Sequence, residues 1–141
     1  DFTVETWIYY NSAGANSSTI TDFRSGSTGT NFLIYLGPSA TLTFYATGAA
    51  RITGNTMSTG QWYHVAVTRA SGSTKMFVDG TQVGSTFADS YNYAQTDVYI
   101  GSDYTTATLT LNGYIDDLRI TKGFARYTGN FTAPTLTPPI L

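Results

Sequence analysis

Apolar and polar positions alternate most clearly between residues 61 and 84. Val65 and Val67 alternate with Ala66 and Thr68. That is the period of a half-buried strand, whose successive side chains point to opposite faces. Ser71-Gly72-Ser73 forms a turn cluster, and Met76 and Val78 restart the alternation. Asp79-Gly80 fits a two-residue hairpin, because both central residues of that turn need positive φ. Val83 closes the unit, so the stretch predicts three antiparallel strands joined by a loose turn and a tight one.

The rest of the chain reads as further short strands. In residues 2–9, Phe2, Val4, Thr6 and Ile8 alternate with Thr3, Glu5, Trp7 and Tyr9, so both faces carry large groups. Strands are also predicted at 19–23, at 32–36, at 41–46 with a hairpin partner at 49–53, and at 98–101. Residues 87–96 are expected to form a long surface loop. In the last strand, 112–121, the apolar positions Ile115 and Leu118 are three apart, which breaks the period of two. A β-bulge at Asp116-Asp117 would let both face the core. Residues 124–127 are a candidate helical turn, and nothing else carries a helical period. Many short strands with turns between them predict an all-β, two-sheet antiparallel sandwich.

Composition narrows the function classes. A chain of 141 residues fits one domain with a real core. It is 15% aromatic and only 11% charged, with eleven tyrosines and a net charge of −2. No basic surface points to nucleic acid or anionic lipid. The absence of cysteine removes disulfides and thiolate metal sites. No apolar run approaches a membrane span, so no membrane insertion is expected. Asp1-Phe2-Thr3 already reads as strand, which suits a processed product or the ordered part of a longer protein.

Several segments carry a family resemblance. They are residues 1–8 (DFTVETWI), 60–68 (GQWYHVAVT), 76–80 (MFVDG), 99–101 (YIG) and 113–120 (GYIDDLRI). In their order and spacing the chain resembles a laminin-G-like domain of the concanavalin A-like lectin/glucanase superfamily. Residues 121–134 resemble the version common in bacteriophage and environmental microbial surface proteins. The resemblance implies a concanavalin A-like jelly roll over residues 1–129, followed by an extended Pro/Thr-rich tail at 130–141. It also implies an extracellular, cell-surface or virion location. Family members usually carry one strand before the segment matching residues 2–8. A domain without it would leave an open edge and an apolar groove. The tail, ending in Pro138-Pro139-Ile140-Leu141, would then fold back locally or add a strand to a neighbour.

Candidate chemistry is sparse. Hydrolysis of glycosides needs two facing carboxyl groups, and no strand carries an alternating acidic run. No catalytic residues are assigned, and the chain is read as a non-enzyme. His64, Glu5 and Arg119 are expected to form a cluster on one sheet, more in keeping with an ordinary ion pair than a ligand site. Calcium takes six to eight oxygens, and Asp22, Asp89 and Asp97 are its candidate ligands, with Asp103 and Asp116 as further acids. The bland reading has these aspartates capping turns. Sugar binding calls for aromatic faces beside polar groups, which Tyr91, Tyr93, Asp103 and Tyr104 supply. Asn16 and Asn130 open glycosylation sequons. Two functions stay open. The favoured one is a structural surface subunit, a homo-oligomer or larger assembly built into a fibre by strand exchange. The alternative is a carbohydrate-binding adhesion module that takes glycans through loop tyrosines.

Overall fold

The computed structural model describes residues 1–12, 17–26, 31–94, 97–105 and 109–135. They contain ten strands and no helix: β1 (Phe2–Tyr10), β2 (Ser18–Asp22), β3 (Phe32–Leu36), β4 (Thr41–Ala46), β5 (Ala49–Thr56), β6 (Trp62–Ala70), β7 (Ser73–Val78), β8 (Thr81–Ala88), β9 (Tyr99–Ile100) and β10 (Gly113–Lys122). They form two five-stranded sheets. The first runs β10-β1-β6-β7-β8 and the second β5-β4-β3-β2-β9. Every pairing is antiparallel. This is the two-sheet antiparallel sandwich that the alternation predicts, and the jelly roll that the family resemblance implies.

The inner faces follow the period of two. Val4 and Ile8 of β1, Val65 and Val67 of β6 and Met76 of β7 meet Ile34 and Leu36 of β3, Leu42 and Phe44 of β4 and Ile52 of β5. All of these are buried. The Asp79-Gly80 turn has φ of 50° and 77°, the double positive φ of a tight hairpin. Gly84 marks a close approach of the sheets: at φ 67° a Cβ there would press on Ile52 and Thr53 of β5.

The bulge is present. Glu5 pairs with Arg119 and Trp7 with Asp116, with a register shift between them, and Asp117 sits at φ 48°. Ile115 and Leu118 both pack on the core. Three expectations need correction. Residues 87–96 are not all loop, because β8 continues to Ala88 and pairs with Ser73 of β7. The 98–101 strand shrinks to Tyr99–Ile100. Residues 124–127 form no helical turn. There the Thr3 hydroxyl of β1 accepts the Arg126 N–H at 2.9 Å and lies 3.3 Å from the Phe124 carbonyl, so a distant side chain engages the carbonyl a helical turn would have needed.

The outer face of the first sheet is covered by the chain itself. Thr3, Glu5 and Trp7 of β1 lie beside Thr68, Ala66 and His64 of β6, and Phe77 pairs with Ala66. Residues 124–131 cross these strands as a strap. Phe131 donates its N–H to the Gly80 carbonyl at 2.9 Å. The Gln82 N–H donates to the Asn130 side chain, and Lys75 to the Thr128 carbonyl. The Phe131 ring stacks on Tyr127 with centroids 3.5 Å apart and meets Phe77 and His64 edge-on. Ala66 and Phe77 are consequently fully buried on what would otherwise be a solvent face. The last apolar pair of the tail, Ile140-Leu141, lies outside the described residues.

Candidate functional site

Two arrangements of charged and aromatic side chains stand out, one on each face of the first sheet. On the outer face Glu5 is 3% exposed, and a buried carboxylate needs partners. Arg126 Nε lies 2.6 Å from Oε1, the Tyr127 hydroxyl donates to Oε2 at 2.6 Å, His64 Nε2 is 3.4 Å away and Arg119 3.7 Å away. The expected Glu5–Arg119–His64 cluster therefore forms, with Arg126 and Tyr127 of the strap added. Burial lowers the His64 pKa from 6.5, against the pull of Glu5 and Asp79. Burial, and then the bond to Glu5, raise the Tyr127 pKa. With the strap in place, this face is closed.

The second arrangement lies at one rim of the sandwich, where β1 starts and β2, β6 and β10 end. Phe2 of β1 stacks on Phe32 of β3, with centroids 5.0 Å apart and planes 8° from parallel. Tyr93 meets both rings edge-on, at 5.9 Å and 5.1 Å, and Phe23 lies 4.4 Å from Phe32. These rings floor an open cleft of about 240 Å³, with Arg69, Asn92, Lys122 and Asp1 among its polar walls. Arg69 follows Val65 and Val67 in core-facing parity, which brings a guanidinium to the inner edge of the rim. Its Cζ lies 5.6 Å from the Tyr93 ring centre.

Asp89 fixes Tyr93 in place. It is 1% exposed and accepts from the Thr74 hydroxyl at 2.7 Å, the Tyr93 hydroxyl at 2.9 Å and the Tyr91 N–H at 3.2 Å. Burial, and then that bond, push the Tyr93 pKa well above 10. Tyr93 is thus half-buried rather than an exposed loop ring, while Tyr91 is 38% exposed and Asn92 is exposed. On the other side of Phe23, Asp22 takes Arg24 in a two-pronged pair, through Nε at 2.9 Å and Nη2 at 2.8 Å, and accepts from the Tyr104 N–H at 3.1 Å. Burial alone would lower the Arg24 pKa, but the Asp22 bond and charge outweigh it and raise it. The Arg24 guanidinium also lies near the Tyr45 and Tyr104 rings.

The candidate residues from the sequence therefore divide. Tyr91, Tyr93 and Asp89 gather in one network at the rim, and Tyr104 and Asp22 in another beside it. Asp103 is buried and accepts from the Thr105 hydroxyl. Asp97 is exposed. Among the described residues no three His, Asp or Glu side chains are grouped to hold a metal ion. Asp22 and Asp89 spend their oxygens on protein donors, as turn-capping aspartates do. Asn130 is exposed, and its carbonyl oxygen faces the Gln82 N–H. Asn16 lies outside the described residues. Sequence reasoning missed Arg69, Phe2, Phe32 and Lys122. An arginine on the same parity as two core valines is the signal that could have exposed the first.

A laminin-G-like family described as the Concanavalin A-like lectin/glucanases superfamily matches residues 1–124. No curated protein matches the sequence. Among solved structures, a candidate carbohydrate binding protein from Bacteroides ovatus ATCC 8483 superposes with a TM-score of 0.67 at 20% identity, covering 84% of this chain and 36% of that one. Domain 4 of a GH43 extracellular arabinanase from Geobacillus stearothermophilus, in complex with arabinotriose, gives 0.60 at 20% identity, covering 85% and 59%. The carbohydrate binding module CBM66 from Bacillus subtilis gives 0.57 at 15% identity, covering 86% and 74%. The chain thus spans about a third and three fifths of the first two of these chains. At such identities the likeness is one of fold.

Proposed function

The chain belongs to the concanavalin A-like lectin/glucanases superfamily, and from that premise we propose that it is a non-catalytic carbohydrate-binding module acting outside the cell or on a surface. The observation that carries the proposal is the rim cleft. A sugar ring has an apolar C–H face and a hydroxyl edge, so it needs an aromatic floor with polar groups around it. Phe2, Phe32 and Tyr93 provide the floor, and Asn92, Arg69 and Lys122 provide the edge. The carbohydrate-binding descriptions of the B. ovatus protein and of CBM66 support the same class. Asp1 is the one carboxylate among the cleft-lining residues, whereas glycoside hydrolysis uses a pair. The fold alone decides nothing, since it hosts many functions. The test is a glycan array on the 141-residue chain, followed by NMR titration of the best hits. Binding that shifts the Phe2, Phe32 and Tyr93 signals supports the proposal, and an array without hits refutes it.

A second reading, a structural subunit of a larger assembly, is favoured by one observation. Among the described residues strand β10 pairs with β1 alone, and along this side of the sandwich Ile120, Tyr114 and, on β9, Ile100 are 46%, 49% and 53% exposed. An open edge beside exposed apolar groups invites a further strand. Analytical ultracentrifugation over a concentration series tests it, and a monomer at every concentration excludes self-assembly through this edge.

A further inference from the structure

We propose that the rim cleft takes an acidic sugar, a glycan residue whose carboxylate is held by the Arg69 guanidinium. This inference rests on the glycan-binding function proposed above and adds the ligand class. It starts from an imbalance. The Arg69 side chain is only 17% exposed, yet among the described residues it makes no hydrogen bond. Its nearest acid is Asp89, whose Oδ2 is 3.8 Å from Nε, beyond hydrogen-bond reach. Asp89 is itself occupied by Thr74, Tyr91 and Tyr93. A mostly buried guanidinium whose Nε–H is buried without an acceptor and whose one ion pair, with Asp89, is 3.8 Å long is costly to maintain, because that pair only partly offsets its desolvation.

The geometry says what would repay it. Guanidinium is a planar fork that matches a carboxylate with two parallel bonds, a match no single hydroxyl offers. Arg69 lies against Tyr93 at the wall of the cleft, beside the ring floor where a pyranose face would stack. Lys122 adds a second cation at the exposed lip. The opposing charge is the Asp1 carboxylate, which already accepts the Ser71 N–H at 2.8 Å. The side-chain charges on the cleft wall thus sum to a positive balance within a protein of net charge −2. At about 240 Å³ the cleft is smaller than the roughly 300–1,000 Å³ typical of pockets for drug-sized ligands. It is sized for a single or terminal acidic residue.

The test is an NMR titration of the 141-residue chain with glucuronic acid, its methyl ester, glucose and glucose 6-sulfate, at low and high salt. Glucuronic acid is expected to bind at least about tenfold more tightly than glucose or the ester, a preference worth ~1.4 kcal/mol, with signals shifting at Phe2, Phe32 and Tyr93. High salt should narrow that preference. Arg69→Lys keeps the charge and loses the fork, so most of the preference should go, and Arg69→Gln should abolish it. Lys122→Gln, at an exposed position, should weaken glucuronic acid about twofold more than it weakens glucose. Equal binding of glucuronic acid and glucose at the cleft overturns the acidic assignment while leaving glycan binding intact. Tighter binding of the sulfate than of the carboxylate overturns the carboxylate. No shift with any of these sugars, together with an array without hits, defeats both proposals. Should Arg69→Gln fail to fold, the comparison of acid with ester on the parent chain decides alone.

Discussion

Replacing Glu5 with glutamine removes one buried charge and almost no volume, and so measures what holds the strap. The Tyr127 hydroxyl bond to Oε2, at 2.6 Å, changes from a charged to a neutral one, a loss of ~1–1.5 kcal/mol. Arg126 and Arg119 also lose their ion pairs with Glu5. Their side chains are 35% and 45% exposed, so solvent screening limits each to ~0.5 kcal/mol. The sum is about 2 kcal/mol. With an unfolding entropy of ~2.1 cal/mol/K per residue, a chain of this length loses ~3 °C per kcal/mol, so the melting temperature should fall by about 6–7 °C. Thermal unfolding followed by near-ultraviolet circular dichroism reads the shift. Limited trypsin digestion reads the mechanism, because a loosened strap exposes the bonds after Lys122 and Arg126 to the protease. A melting temperature and a tryptic rate both indistinguishable from the parent would refute the assignment of Glu5 as the anchor.

The remaining predictions use the same cooperative unfolding. Gly80→Ala must accept φ 77° and drives a Cβ into the Phe131 carbonyl, so it should cost more than Gly48→Ala, where φ is 81° with open space around it. The shared strain is ~1 kcal/mol, and urea unfolding of the pair isolates the contribution of the strap contact. Asp89→Asn leaves the Thr74 and Tyr93 hydroxyls facing a neutral group and the buried edge of Arg69 without its counter-charge, a loss of roughly 3–5 kcal/mol in urea. It should also release Tyr93, visible as altered tyrosine fluorescence. Acidification provides a third check. The folded-state pKa of His64 lies below 6.5, so the unfolded chain takes up its proton first. The stability His64 contributes is complete above pH 6.5 and is lost as pH falls through the folded value. His64→Gln should flatten that slope in melts taken between about pH 7 and pH 5, and an unchanged slope contradicts the buried neutral imidazole.

The inner half of this domain is legible in the sequence because its causes are local. Val65, Val67 and Met76 announce their face through neighbours two residues away. Asp79-Gly80 announces its turn by the positive φ it tolerates, and the three-residue step from Ile115 to Leu118 announces the bulge. The outer half has no such local cause. Glu5 and His64 sit at positions where the period of two predicts solvent, and they are buried against residues 124–131, more than fifty positions away in the chain. Residues 124–127 suggest a helical turn in isolation. They form no helical turn, and Thr3 and Glu5 of β1 take Arg126 and Tyr127 as partners instead. The large groups on both faces of β1 were the visible trace of this cover. Likewise the tyrosines at 91, 93 and 104 could be seen as rim residues, but Asp89 holding Tyr93 side-on is a long-range arrangement.

The two faces of the first sheet present opposite cases of one electrostatic problem. Glu5 on the outer face and Arg69 at the inner rim are both largely buried charges on neighbouring strands. For Glu5 the chain supplies the answer: a strap that brings Arg126 to 2.6 Å and Tyr127 to 2.6 Å and closes the surface. For Arg69 it supplies an ion pair at 3.8 Å and an aromatic face, and leaves the fork without an acceptor beside an open cleft. A charge answered from within belongs to stability, since its partners are always present. A charge whose hydrogen-bonding capacity is left open toward solvent costs stability in the free protein and repays it only when an acceptor arrives. The broad sheet face, where the outward residues of β1 and β6 first draw attention, is therefore the structural side of this domain. The narrow rim behind Tyr93 is the side to which we assign the proposed ligand.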